Sequence, residues 1–187
     1  MQDLLYLQQI KKWGNNVAKI FFYGAVSLDG YLSDVNDGLQ WLFDTEVGDK
    51  LTTDAFLDTV ETVVMGRITY EEARKYVQPL YPGKDVVVFT HNTNFDVQEG
   101  FAVSEDPVDY LRKLKEQPSG NIWVVGGVNL LKNIIIADLI DEWWIQIAPV
   151  LLGNGKRLFE QSDYQTRLEL IDITQMKQLT ELHFRRN

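Results

Sequence analysis

Cysteine is absent from the 187-residue chain, which removes disulfides, thiolate metal sites and a cysteine nucleophile together. Histidine is scarce. His91 and His183 stand far apart with no second ligand at helical spacing, so neither a structural nor a catalytic metal is expected. Positive charge is short as well: 18 Lys and Arg face 27 Asp and Glu, a formal net charge of -9. That sign repels a phosphodiester backbone and argues against a nucleic-acid partner. It does not exclude a phosphorylated small molecule, which a few arginines and helix N-termini can hold locally. Long apolar runs are also missing. The opening stretch "MQDLLYLQQIKKWGNNVAK" interrupts its leucines with Asp3, Gln8, Gln9 and lysines, and reads as an amphipathic helix before a "WGNN" break. No membrane partner is expected, and the lack of cysteine is compatible with a cytoplasmic location.

What is present fits one soluble domain. A hydrophobic share of 45% with 24% charged residues is ordinary for a globular protein and excludes global disorder. Residues 1–17 read as an N-terminal extension and 18–187 as the domain. "KIFFYGAVSL" is rich in aromatic and branched residues and predicts a buried strand closed by "DG". After an acidic loop and "LQWLF", residues 51–60 predict a short helix. Then strands ("TVVMG", "DVVVFT", "NIWVVGG", "IDEWWIQIAP") alternate with helices ("TYEEARKYV", "PVDYLRKLKE", "VNLLKNIIIADL"), and "FAVSED" reads as a short strand. Pro107 suits a first helical turn. The tail alternates polar and apolar residues around "QMKQ" and predicts a closing antiparallel hairpin. In "EWWIQI", Trp143 and Trp144 must point to opposite faces. The sum is a three-layer α/β sandwich with a mixed central sheet.

Sheets of this kind bind ligands beyond the carboxyl ends of their strands, and two glycine turns fall there: "MGRIT" and "VVGGVNLL". In each, glycine lets an anion approach the backbone while the following helix offers unpaired N–H groups. Each has a plainer reading too. Thr69 and Glu72 have capping-box spacing, and Gly126-Gly127 suits a tight turn. Neither turn completes the GxGxxG pattern, so an ordinary Rossmann site is not indicated.

"AVSLDGYL", "VVMGRITYEE", "VVGGVNLL" and "DEWWIQIAPVLLGNGKRLF" occur in the order and approximate spacing of dihydrofolate reductase-like proteins. The chain resembles, in particular, the group related to the reductase domain of bacterial riboflavin biosynthesis, over about Ala18 to Phe159. The resemblance implies a dihydrofolate reductase-like fold, NADPH as cofactor with NADH not excluded, and a homodimer. It implies that Gly66, Arg67 and Thr69, with Gly126, Gly127, Val128 and Asn129, hold the cofactor's phosphates, and that Ala25 meets the nicotinamide carboxamide. Thr90 and His91 stand where the folate enzymes carry a Ser-Arg pair for the 2'-phosphate. A mostly neutral imidazole grips phosphate less well than a guanidinium, which leaves NADPH preference open.

On the substrate side, Asp29 in "SLDG" is the candidate catalytic or substrate-orienting residue, its plainer reading being an Asp-Gly turn. Trp41, Asp49, Pro149 and Gly153 complete the expected substrate cleft. Asp49 or Asp54 would approximate the folate enzymes' helix carboxylate, or would simply be solvated acids near a helix start. The H-x-E and P-C-x-x-C ligands of the fused zinc deaminase do not occur. The expected activity is therefore hydride transfer to a small pteridine- or pyrimidine-like heterocycle or imine. The alternative is a nicotinamide-nucleotide-binding sensor without catalysis.

Overall fold

Ile20–Ser27 forms strand β1, and its apolar residues continue on both faces because it is a central strand with parallel neighbours on each side. The computed structural model describes residues 17–49, 51–92, 94–117 and 120–187; the amphipathic helix expected before Val17 lies outside them. After β1 come β2 (Tyr31–Ser33), α1 (Gln40–Phe43), α2 (Thr53–Leu57), β3 (Val60–Gly66) and α3 (Arg67–Tyr76). Then follow β4 (Asp85–Phe89), β5 (Phe101–Val103), α4 (Pro107–Glu116), β6 (Asn121–Gly126) and α5 (Val128–Ile136). The chain closes with β7 (Glu142–Ala148), β8 (Lys156–Arg157), β9 (Leu168–Met176) and β10 (Leu179–Arg186).

Eight strands make one sheet in the order β5-β4-β3-β6-β1-β7-β10-β9. All pairings are parallel except those of β10, which runs antiparallel to both β7 and β9. The expected mixed sheet and C-terminal hairpin are thus both present. A small β2–β8 ladder, which the loop-like sequence of both segments does not announce, ties Tyr31 to Arg157.

Period-two alternation sorts side chains between two cores. Phe22, Val26, Val124 and Trp143 pack with Leu111 of α4 and Leu130, Leu131 and Ile134 of α5. Phe21, Tyr23, Val63, Met65 and Trp123 pack on the other face with Phe56 of α2 and Tyr70 of α3. Trp143 and Trp144 fall on opposite faces as expected. Burying a side chain such as Ile134 contributes about 1.5–3 kcal/mol, and the two cores together fix the three layers.

Helix starts differ in a way that matters for the site. Asp106 caps α4, its carboxylate accepting from Val108 N and Asp109 N, with Pro107 in the first turn. The helix after β3 begins at Arg67, two residues before the expected Thr69, because Gly66 adopts the extended N-cap conformation (φ -79°, ψ 158°). The Thr69–Glu72 capping box therefore does not form. No helix among the described residues is long and apolar enough to cross a membrane.

Candidate functional site

β3 and β6 lie side by side and parallel, with Met65 in register with Gly126, so the two glycine turns open on the same rim of the sheet. From there α3 runs back over one face and α5 over the other. Their N-caps are Gly66 and Gly127, and neither helix has a side-chain cap bond. Each first turn therefore leaves backbone N–H groups and the positive end of its dipole at the rim.

The turns are in contact. A Cβ placed on Gly66 would lie 3.7 Å from Gly127 N, and one on Gly127 would lie 3.3 Å from Thr69 Oγ1. Gly126 has φ +149°, a conformation L side chains rarely adopt, and its peptide bond to Gly127 is cis. A cradle that a Cβ would crowd, floored by backbone donors from two helices, has the donor chemistry for a pyrophosphate.

Arg67 projects from this cradle and donates to both carboxylate oxygens of Glu71 at 2.9 and 2.7 Å. Its guanidinium lies 5.9 Å from the centre of the Phe95 ring. Thr90 follows β4, the neighbour of β3; its amide donates to Val103 O and its Oγ1 accepts from Asn92 N. His91 and Asn129 are exposed, and Val128 is half-buried. Ala25 stands on β1, the strand adjoining β6, and is half-buried on the α2 and α3 face.

The "SLDG" and "LLGNG" loops are bolted together by Asp29. Its Oδ1 accepts from Ser27 Oγ (2.6 Å) and Leu152 N (3.1 Å), and its Oδ2 from Gly153 N (2.7 Å). The Ser27 hydroxyl, then the two loop amides, outweigh desolvation and pull this carboxyl down to about 2. Leu28 N donates to Val150 O, Tyr31 Oη donates to Gly153 O at 3.1 Å, and Arg157 lies 4.5 Å over the Tyr31 ring. A Cβ on Gly155 would run into the Ser33 carbonyl, which explains glycine there.

Asp29 and Gly153 are thus brought into contact, and Pro149 is exposed directly after β7. Trp41 of α1 packs on Ala148, Met176 and Leu179, and its Nε1 is buried with no partner among the described residues. Asp49 is exposed. Asp54 borders a depression with Leu57, Asp58 and Lys84, at the amino ends of β3 and β4 and so at the rim away from the glycines.

Two buried polar residues on the α2 and α3 face escape local sequence reading: Gln146 of β7 and Glu181 of β10. A signal exists for both. Alternation in "WIQIA" and "LTELHF" puts Gln146 with Trp144 and Glu181 with His183, on the inward side of strands whose neighbours are apolar.

The sequence profile of the RibD C-terminal domain matches residues 18–181. Protein YwjB of Bacillus subtilis, itself uncharacterized, is 36% identical over 170 residues, which cover 89% of this chain and 97% of that protein. Among solved structures, a protein assigned to riboflavin biosynthesis in Shewanella sp. PV-4 superposes with a TM-score of 0.79 at 27% identity, covering 91% of this chain and 99% of the other. Dihydrofolate reductase from Enterococcus faecalis, complexed with NADP(H), shares the fold at TM-score 0.64 and 17% identity, covering 90% and 96%. With the matched region running from Ala18 into β10, the chain belongs to the RibD C-terminal domain family and has the dihydrofolate reductase-like fold.

Proposed function

We propose that this protein is an NAD(P)H-dependent reductase acting on a small pteridine- or pyrimidine-like heterocycle or imine. The observation that carries the reading is the meeting of two N-termini without side-chain caps, those of α3 and α5, at one glycine-built rim beside Ala25. The reduced dinucleotide would supply the hydride. The chain's own residues would bind and orient: Gly66, Thr69, Gly126, Gly127, Val128 and Asn129 toward the phosphates, and Ala25 toward the carboxamide.

Arg67, Thr90 and His91 line the side of the rim where the adenosine would lie. Arg67 is already paired with Glu71, so NADPH preference over NADH depends on whether a 2'-phosphate displaces that carboxylate. Asp29 would act by position. An ionised carboxylate with both oxygens engaged holds the two loops together, and it would thereby position the substrate side expected near Trp41, Pro149 and Gly153.

A homodimer goes with this reading. Edge strand β9 shows Leu170 and Ile173, 49% and 56% exposed, in register with Phe184 and Leu182 of β10. An uncovered apolar sheet end of this kind suits a second copy. So does a cytoplasmic location, where reduced dinucleotides are supplied.

The test is a titration of NADPH and NADH followed by tryptophan fluorescence, then cofactor oxidation with pteridines, pyrimidines and flavin precursors. Binding and turnover support the reductase, and no binding of either dinucleotide overturns it. Binding without turnover would support the sensor alternative, which is favoured by one observation: both oxygens of Asp29 are taken up by hydrogen bonds within the chain.

A further inference from the structure

Beneath α2, polar groups gather on a sheet face that is otherwise aromatic. Glu181, only 4% exposed, sits across the antiparallel ladder from Gln146. Its Oε2 accepts from Thr52 Oγ1 at 2.7 Å and from Gln146 Nε2 at 2.9 Å. The same amide donates to Tyr23 Oη at 2.6 Å, and that hydroxyl also bonds with those of Thr52 and Thr53 at 3.1 and 2.9 Å. Both bonds to Glu181 fall on Oε2, and Oε1 has no donor among the described residues. A buried carboxylate whose partners are neutral costs stability. A purely structural network would do as well with a neutral side chain at this position.

Its place in the cleft supplies a use. Gln146 is the register partner of Ala25, so the cluster begins one strand over from the residue assigned to the nicotinamide. Leu179 and Glu181 alternate on β10 and share a face, and Leu179 is one of the residues under Trp41. The Thr52 hydroxyl lies 4.0 Å from Met176 Sδ, another residue under Trp41. Glu181 Oε1, which accepts no bond from the described residues, and Trp41 Nε1, which is buried without an acceptor, thus border one short stretch of the sheet.

We infer that Glu181 is the substrate-reading carboxylate of this cleft. Its Oε1 accepts an N–H from a heterocycle bearing an amino group or protonated ring nitrogen, and Trp41 Nε1 donates to an acceptor on the same ring. Gln146, Tyr23 and Thr52 are positioning residues that hold the carboxylate's rotamer. The inference rests on the reductase reading for the place of the cleft. It assigns the acid to β10 where the sequence directed attention to Asp49 and Asp54. A buried site of this kind rejects ligands lacking the matching N–H far more strongly than an apolar pocket rejects a missing methylene.

Calorimetric titration with 2,4-diaminopyrimidine and with uracil, each with and without NADPH, tests it on the wild type, Glu181→Gln and Trp41→Phe. The wild type is expected to bind diaminopyrimidine and to prefer it to uracil. Glu181→Gln turns the acceptor into a donor, and should weaken diaminopyrimidine at least about tenfold while narrowing or reversing the preference. Trp41→Phe, which removes only the N–H, should weaken it about threefold or more and serves if the Gln variant does not fold. NADPH affinity should stay unchanged in both variants. No diaminopyrimidine binding by the wild type, or the same affinity and preference in the folded variants, overturns the assignment. Failure of the wild type to bind NADPH would remove the reductase reading instead, and the cofactor-free arms still compare the ligands.

Discussion

Thr69 Oγ1 lies 3.3 Å from the point that a Cβ would occupy on Gly127, so the helix after β3 and the turn after β6 meet at one rim although 58 residues (127 − 69) separate them. Separate rims would have left each glycine turn an isolated loop feature. Their contact makes one concave surface, with backbone donors arriving from both faces of the sheet.

That contact makes glycine substitution at the rim selective. Gly127→Ala should weaken dinucleotide binding about tenfold, about 1.4 kcal/mol, with a small change in Tm, because its own φ of -73° suits alanine and only the crowding of Thr69 is new. Gly126→Ala should also destabilise the fold by about 1–3 kcal/mol, since φ +149° is a glycine conformation. Thermal melts beside fluorescence titration check both, and equal stability loss in the two variants would contradict the assignment.

The helix cap at Asp106 provides a contrast. Asp106→Ala should cost about 1 kcal/mol by freeing Val108 N and Asp109 N, with dinucleotide affinity unaltered, because α4 follows β5, two strands away from the nearer glycine turn in the sheet order. Urea unfolding measures the first and titration the second.

Asp29→Asn should lower Tm at neutral pH and loosen the "LLGNG" loop, which faster amide exchange at Leu152 and Gly153 would report. The pH dependence has a definite sign. The folded carboxyl titrates at about 2, below its ordinary 3.8, so folding favours the ionised form. Its contribution is complete above 3.8 and is lost as pH falls toward 2, so the gap between wild type and variant should close over that window.

Glu142 anchors the opposite end of the sheet, where Lys19 Nζ donates to Oε1 at 2.7 Å and His183 Nε2 sits 2.8 Å from Oε2. Burial pushes this carboxyl up, but the bonds and charges of Lys19 and His183 outweigh it and leave it below the usual value. Glu142→Gln should therefore cost about 2 kcal/mol at neutral pH, a figure kept modest because Lys19 is half exposed. The cost should shrink as acid protonates the wild-type carboxylate below its ordinary 4.5, since a depressed folded value means stability lost on acidification. Urea melts across that range would show it.

On the β9 edge, Ile173→Lys should convert a dimer to a monomer in light scattering. Monomer stability should move by no more than about 0.5 kcal/mol, because the side chain is more than half exposed. A wild type that is monomeric at all concentrations would remove the dimer from the proposed function.

Local chemistry made most elements legible. The aromatic and branched run of β1 and the Pro107 helix start follow from patterns spanning a few residues, as does the alternation of the β9–β10 hairpin. The glycine turns were legible as candidates. The start of α3 was misplaced because Thr69 and Glu72 imitate a capping box, whereas Gly66 takes the N-cap and frees Thr69 to face Gly127.

By itself the sequence determined the alternation of strands and helices, the face each strand residue takes, and the glycine turns, because these depend on backbone sterics and short-range periodicity. Tertiary structure alone decided that both turns share a rim, that Asp29 clamps Leu152 and Gly153, and that Glu181 is buried against Gln146. Each of these depends on strand order and register between segments far apart in the chain. Such pairings are chosen by packing the whole sheet, and no short stretch of residues encodes them.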